Sequence, residues 1–372
     1  MPQHPRPFLS NQCLAMKRRL VQIIALYCLV VAAVGCSESR TSGDNGRSTK
    51  DPSDRSVERT ARTESSDVKG GEFGDRAARR SNGCIGGSLT PGVHERSLRH
   101  QGWERRYVLA IPKAPHGKRP AHPALIAMHG FGGNGPGMRR LMQSSRDRFE
   151  DTYVVVYPDG AGSPADQRGW NSGHPECCGT ALHEGLNDVA FVRALVAQVA
   201  KLACLDLNRV YATGFSNGGD MAQRLACDAS DIIAAASSVA GRFDYHATAC
   251  PGRRAVPAAL YRGRRDWTVP FSSHPLNFGA IETISAMQGF EQIARNHGCT
   301  GESQSTELGI ATECFRFSNC DADFEVSLCV SADLGHCWPG ASNCRERPSV
   351  PDEAFSASRH MRTFFTRHAL SP

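Results

Sequence analysis

The sequence predicts an α/β fold, with a mainly parallel central sheet covered by helices on both faces, built as a single domain stapled by disulfides. Three observations carry that expectation. Short apolar runs such as Ala124-Leu-Ile-Ala-Met128 and Tyr153-Val-Val-Val-Tyr157 have the length and composition of strands buried on both faces. Stretches with apolar residues at helical spacing separate them, so strands and helices alternate along the chain. Twelve of the 15 cysteines run from Cys84 to Cys344 without a C-x-x-C pair. That even number suits disulfides in an oxidising compartment better than a zinc cluster, and neither a metal nor an organic cofactor is expected.

The bulk composition agrees. Of 372 residues, 40% are hydrophobic and 22% charged, which is enough apolar material for a sizeable core. The net charge of +6 is modest, and no basic run is interleaved with aromatics, so a nucleic-acid groove is excluded.

The chain opens, over residues 1–36, with a signal. Met16-Lys-Arg-Arg-Leu20 is a basic region followed by an apolar run from Val21 to Val34, too short to span a bilayer. The residues before Met16 have no signal character, which makes Met16 the expected start of translation. Ala33-Val34-Gly35-Cys36 resembles a bacterial lipobox, although alanine replaces the usual leucine. Cys36 is therefore the expected site of lipidation, and the protein is expected in the cell envelope or outside it, touching a membrane only through that anchor. Residues 37–83 are rich in Ser, Thr, Arg, Asp and Gly and too poor in large apolar residues to order themselves, so they read as a tether. Globular composition begins at Cys84 and continues over 84–372.

Within that domain, Trp103 to Ile111 is the first expected strand, followed by the runs at Ala124 and Tyr153. Asn187 caps a helix on which Val189, Val192, Leu195, Val196, Val199 and Leu202 share one face. A strand from Arg209, a helix through Met221 to Ala226, and strands at Ile232–Val239 and Ala255–Tyr261 follow. Gly289–Asn296 is helical in pattern, Phe324–Val330 alternates as a strand, and Phe355–His368 forms a closing helix. Two disulfides are expected: Cys204–Cys227, flanking one strand–helix unit, and the local Cys337–Cys344.

The chemistry concentrates at Val210-Tyr-Ala-Thr-Gly-Phe-Ser216-Asn-Gly-Gly219. A β-branched and aromatic strand enters G-x-S-x-G and a helix leaves it, which is the nucleophile elbow of α/β-hydrolases. A serine hydroxyl needs a base, usually histidine, held by a carboxylate. In this fold the acid and then the histidine follow the serine along the chain. Asp266 lies in the loop after the Ala255 strand and is the expected acid, with Asp244 the alternative. His336 opens the rigid Gly335-His-Cys-Trp-Pro-Gly340 loop and is the expected base, whereas His274, His297, His360 and His368 sit in loops, turns or the last helix. The developing oxyanion needs preorganised donors. Asn217 N–H supplies one, and the His129-Gly130-Phe131-Gly132-Gly133 loop supplies the other through Phe131, with Gly132 the alternative. His129 is then a loop-shaping residue.

His129-Gly-Phe-Gly-Gly-Asn, Tyr157-Pro-Asp-Gly, Trp170-Asn with Cys177-Cys178-Gly179, Gly214-Phe-Ser-Asn-Gly-Gly and Gly335-His-Cys-Trp-Pro-Gly together resemble the secreted esterase family of polyhydroxybutyrate depolymerases and feruloyl esterases. The resemblance covers the chain from Cys84 onward. It implies an α/β-hydrolase fold, a Ser216–Asp266–His336 triad and extracellular ester hydrolysis; a polymeric or oligomeric ester partner and a monomeric state are separate expectations. One motif departs from the family: its acid loop reads His-Gly-Thr-x-Asp, and here it is Arg262-Gly-Arg-Arg-Asp266. The first expected substrate is a poly(3-hydroxybutyrate)-type polyester or its oligomers. The alternative is a feruloyl or acetyl ester of plant polysaccharide. A non-catalytic surface-binding protein of the same fold is the alternative of another class. Trp170 and Trp338 are the expected cleft residues, as aromatic surfaces for an acyl group, and the added arginines would make a basic rim.

Overall fold

In the computed structural model the described residues run from 79 to 371, leaving aside 114–119, 164–166, 176, 244–249, 251–253, 273–283, 309–310, 322–323 and 345–354. The signal, Cys36 and almost all of the tether lie outside them, as do Asp244 and His274. Residues Val68–Pro372 form one unit. Its order is α1 (Gly83–Gly86), β1 (Gly92–His100), β2 (Trp103–Ile111), β3 (His122–Met128), α2 (Gly135–Gln143), β4 (Val154–Pro158), α3 (Gly179–His183), α4 (Asp188–Leu202), β5 (Leu205–Phe215), α5 (Asn217–Asp228), β6 (Ala235–Val239), β7 (Ala258–Gly263), α6 (Ala286–Asn296), β8 (Gln304–Glu307), β9 (Thr312–Phe317), β10 (Val326–Ser331) and α7 (Ala357–Thr366). Among the described residues, no helix is long and apolar enough to cross a membrane.

The ten strands make one sheet in the order β1-β2-β4-β3-β5-β6-β7-β10-β9-β8. From β4 to β10 every neighbouring pair is parallel, and antiparallel strands close both margins. The apolar runs supply both faces at once. Leu109, Ile126, Val154 and Val156 point into a core with Val192 and Leu195 of α4 and Leu225 of α5. Their chain neighbours Val108, Leu125, Val155 and Tyr157 point the other way, onto Met138 and Met142 of α2 and Phe364 and Phe365 of α7. Period-two alternation of side chains turns an unbroken apolar run into two buried faces. A third cluster seats Phe290 and Ile293 of α6 on Leu260 and Leu328.

The margins were not legible in the sequence. Strand β1 is exposed along most of its length and is held by pairing with β2, so its residues show no apolar alternation. Strand β8 is exposed throughout for the same reason. Ordered contacts also begin before Cys84: Leu207 N–H donates to the Arg79 carbonyl and Ser81 N–H to that of Leu205.

Six disulfides join Cys84–Cys204, Cys177–Cys178, Cys227–Cys250, Cys299–Cys320, Cys314–Cys329 and Cys337–Cys344. The local Cys337–Cys344 pair is as expected, and Cys204–Cys227 is corrected. Ser81 bonds to the Ala203–Leu205 segment, which seats Cys84 of α1 against Cys204, and Cys227 at the end of α5 pairs instead with Cys250. Disulfides in this number belong to an oxidising compartment.

The chain just after helix α7 is tied to the sheet by charges gathered around the buried Glu325. Glu325 accepts from Arg367 at 2.6 Å and His368 at 2.8 Å, and pairs with Arg316 at 3.1 Å. Burial alone would raise the Glu325 pKa; the His368 and Arg367 hydrogen bonds outweigh it and hold the carboxyl down to about 2. The resulting stabilisation is therefore present above the unfolded value of about 4.3 and disappears as pH falls toward the folded one. Glu325→Gln is expected to lower stability at pH 7 by about 1–2 kcal/mol, a charge-assisted hydrogen bond discounted for solvent screening at its half-exposed arginine partners. In urea melts the gap between wild type and variant should close between about pH 4 and pH 2.

Candidate active site

The expected site residues all emerge at the carboxyl ends of parallel strands: the His129 loop after β3, Ser216 after β5, Asp266 after β7 and His336 beyond β10. Strand order reverses direction about β5, with β3 on one side and β6 on the other. In open α/β sheets such a switch point is where a crevice forms.

Ser216 is positioned by backbone crowding. It sits between β5 and α5 at φ 54°, ψ −125°, in the left-handed region that a side chain adopts only under strain. Its amide donates to the Val239 carbonyl at 2.8 Å, and its carbonyl accepts from Gly219 at 2.7 Å and Asp220 at 3.0 Å. A Cβ on Gly214 would lie 2.1 Å from the Gly218 carbonyl oxygen, and one on Gly218 would lie 2.3 Å from that of Met128. Both glycines are thus required by contact, and the turn cannot relax without separating α5 from β3 and β5.

Asp266 and His336 are brought together as expected. His336 Nδ1 donates to Asp266 Oδ2 at 2.8 Å, and the carboxylate is fully buried. The second oxygen, Oδ1, accepts from Thr268 N–H at 2.9 Å and Val269 N–H at 2.8 Å. With Nδ1 donating, the imidazole presents Nε2 as its acceptor. Its ring lies 4.9 Å, centre to centre, from that of Phe215, the residue before the serine.

The loops bearing this acid and base are bonded to one another. Arg264 N–H donates to the Ser331 carbonyl at 2.9 Å and Arg265 N–H to that of Leu334 at 3.0 Å, while the Arg265 guanidinium pairs with Asp333 at 2.9 Å. Two of the three arginines, Arg264 and Arg265, are exposed as the expected rim, and the third turns inward. Arg262 is buried, donating to the carbonyls of Gly241, Val269 and Pro270. Arg264 lies 4.9 Å over the Phe271 ring. Arg262 was missed as a positioning residue because an arginine in a loop reads as solvated. Its place at the end of an apolar strand was the available signal.

At the opposite wall, His129 Nδ1 donates to the Gly130 carbonyl at 2.7 Å, and Nε2 accepts from Gly160 N–H at 2.9 Å. Burial pushes its pKa down to about 4, against the opposing bond to Gly130. It is therefore a neutral brace near pH 7, in keeping with a loop-shaping role. Gly132 N–H is committed to the Arg168 carbonyl at 2.8 Å, which removes it as an anion donor and favours Phe131 of the two.

Trp170 and Trp338 require correction. Both are 0% exposed and cannot line a cleft. Trp170 Nε1–H donates to the His129 carbonyl at 2.9 Å, and its backbone is bracketed by the Asn217 side chain, which accepts from Trp170 N–H at 2.8 Å and donates to Trp170 O at 3.1 Å. Trp338 packs beside the Cys337–Cys344 disulfide and donates to Ser358 Oγ at 3.0 Å. The large aromatics that do reach solvent here are Phe131, 45% exposed, and Trp267, 91% exposed. Cys314, Cys329 and His360 lie close enough to share a metal ion, but both sulfurs are committed to a disulfide.

This sheet order, with a strained serine after its fifth strand and an acid–histidine pair beyond, defines an α/β-hydrolase. No protein-family model matches the chain. It is 31% identical over 240 residues to feruloyl esterase B of Piromyces equi, covering 62% of this chain and 42% of that one. It is 23% identical over 308 residues to feruloyl esterase D of Neurospora crassa, covering 78% of this chain and 91% of the other. It thus spans less than half the length of the Piromyces relative. An acetyl xylan esterase structure from Aspergillus awamori superposes with a TM-score of 0.48 at 14% identity, covering 66% of this chain and 94% of that one. By sequence, then, the chain is similar to the feruloyl esterases, which bears out that half of the resemblance carried by its motifs.

Because the Asn217 side chain satisfies two buried backbone groups of Trp170, Asn217→Ala should leave both unpaired. At about 1–3 kcal/mol for each, the variant should unfold at measurably lower denaturant, with an unchanged slope in urea titration.

Proposed function

We propose that this protein is a secreted serine esterase that hydrolyses carboxylic esters through an acyl-enzyme. The observation that carries the reading is the Asp266–His336 hydrogen bond of 2.8 Å, with the imidazole packed on the residue preceding a serine held at φ 54°. Ser216 Oγ attacks the ester carbonyl carbon as its proton passes to His336 Nε2. Asp266 keeps Nδ1 protonated and stabilises the imidazolium that forms. The N–H groups of Asn217 and Phe131 receive the developing oxyanion. His336 then protonates the departing alkoxide, and a water activated by the same nitrogen releases the acid and restores the serine.

For the acyl group, the relatives shift the order of the two substrate classes. The motifs alone put a hydroxybutyrate polyester first, whereas the Piromyces and Neurospora relatives are named for feruloyl esters. We therefore place a feruloyl ester of plant polysaccharide first and the polyester second. The oxidising compartment that six disulfides require supports export. Cys36 is the proposed lipid anchor.

Ser216→Ala should reduce p-nitrophenyl butyrate hydrolysis by at least about 10⁴-fold, and equal rates for the two proteins would sink the esterase reading at this serine. Among methyl ferulate, acetylated xylan and hydroxybutyrate oligomers, methyl ferulate should give the highest kcat/KM; a preference for the oligomers would restore the polyester. Cys36→Ala should move the protein from the membrane to the soluble fraction, and persistence in membranes would remove the anchor.

A further inference from the structure

Trp267 stands beside the acid with 91% of its surface in solvent. The turn that carries it is held from several sides. Asp266 N–H donates to the Gly263 carbonyl at 3.3 Å, Asp266 Oδ1 accepts from the two residues after Trp267, and Arg262 grips the carbonyls of Val269 and Pro270. An indole so displayed adds nothing to the core, unlike the buried Trp170 and Trp338. A rigidly mounted aromatic with few rotatable bonds loses little entropy on binding, which is why such side chains serve as anchors.

The surroundings select the occupant. A polyester or lipid surface would call for a contiguous apolar patch. Among the described residues, the other exposed large apolar side chains are Ile85, Val93 and Phe131, of which Ile85 and Val93 belong to α1 and β1. Within the acid loop, Trp267 is flanked in sequence by Arg264, Arg265 and Thr268, and Arg265 pairs with Asp333 with both partners partly in solvent. A sugar ring matches this setting. Its C–H face stacks on an indole while its hydroxyls hydrogen-bond charged neighbours.

We propose that Trp267 is a stacking platform for a sugar ring of the polysaccharide chain that carries the ester, and so determines specificity for polymeric over small esters. The inference rests on the esterase reading of Ser216 and adds the carrier to it.

The test compares wild type, Trp267→Ala and Trp267→Tyr on methyl ferulate and on insoluble feruloylated arabinoxylan. Release of ferulate from arabinoxylan should fall about tenfold in Trp267→Ala and recover in Trp267→Tyr, while kcat/KM on methyl ferulate changes less than about twofold. Retention of Ser216→Ala protein on the same arabinoxylan should fall when Trp267→Ala is added. Equal release from arabinoxylan by wild type and Trp267→Ala overturns the proposal. So does an equal loss on both substrates, which would make Trp267 part of the acyl site. If the wild type hydrolyses no ester, the esterase reading fails, and the retention assay alone decides whether Trp267 holds polysaccharide.

Discussion

The close passage of α5 across the ends of β3 and β5 is the constraint on which the site depends. Backbone meets backbone there, with no room for a Cβ at Gly214 or Gly218. The approach forces the chain reversal into one residue, and that residue, Ser216, takes a positive φ that points its side chain out of the turn. It also sets the amino end of α5 beside the Met128–His129 carbonyls, so Ser216 and the His129 loop are located by a single packing contact. Strain at the serine persists because the glycines, the Val239 carbonyl and the two faces of the sheet over-determine it.

A second unit works by the same logic on the other side of the serine. Asp266 and His336 follow different strands, β7 and β10, which are hydrogen-bonded neighbours in parallel register. Their loops remain paired beyond the sheet through Arg264, Arg265 and Leu334. The Asp266–His336 bond is thus built on two loops that move together or not at all. Every oxygen of Asp266 has a partner, so the carboxylate has one orientation, and this fixes the imidazole's tautomer.

Much of this was legible in the sequence, and the parts that were not have physical reasons. The buried strands, the Asn187 cap and the order serine, acid, histidine follow from patterns local to a few residues. Asn187 Oδ1 does accept from Ala190 N–H at 2.9 Å. Partners chosen by long-range packing are invisible to such patterns: Cys84 for Cys204, the Asn217 side chain for Trp170. Tryptophans mislead for a related reason. Three occur near the site in sequence, and burial, which no motif encodes, decides that Trp170 and Trp338 brace loops while Trp267 faces solvent.

The acid loop joins these points. Where the resembled family carries His-Gly-Thr-x-Asp, this chain carries Arg262-Gly-Arg-Arg-Asp266, and the first arginine points inward. A guanidinium has five donors in a planar fork, and Arg262 uses them to join carbonyls from two segments, Gly241 beyond β6 and Val269–Pro270 beyond the acid. A buried cation is costly unless its donors are met. Three carbonyl groups accept from its terminal nitrogens here, and the Phe243 ring lies 5.6 Å away. The substitution therefore exchanges one short polar side chain for a longer tie, and the turn it secures is the one that lifts Trp267 clear of the surface. Rigidity beneath the acid and display above it have the same origin.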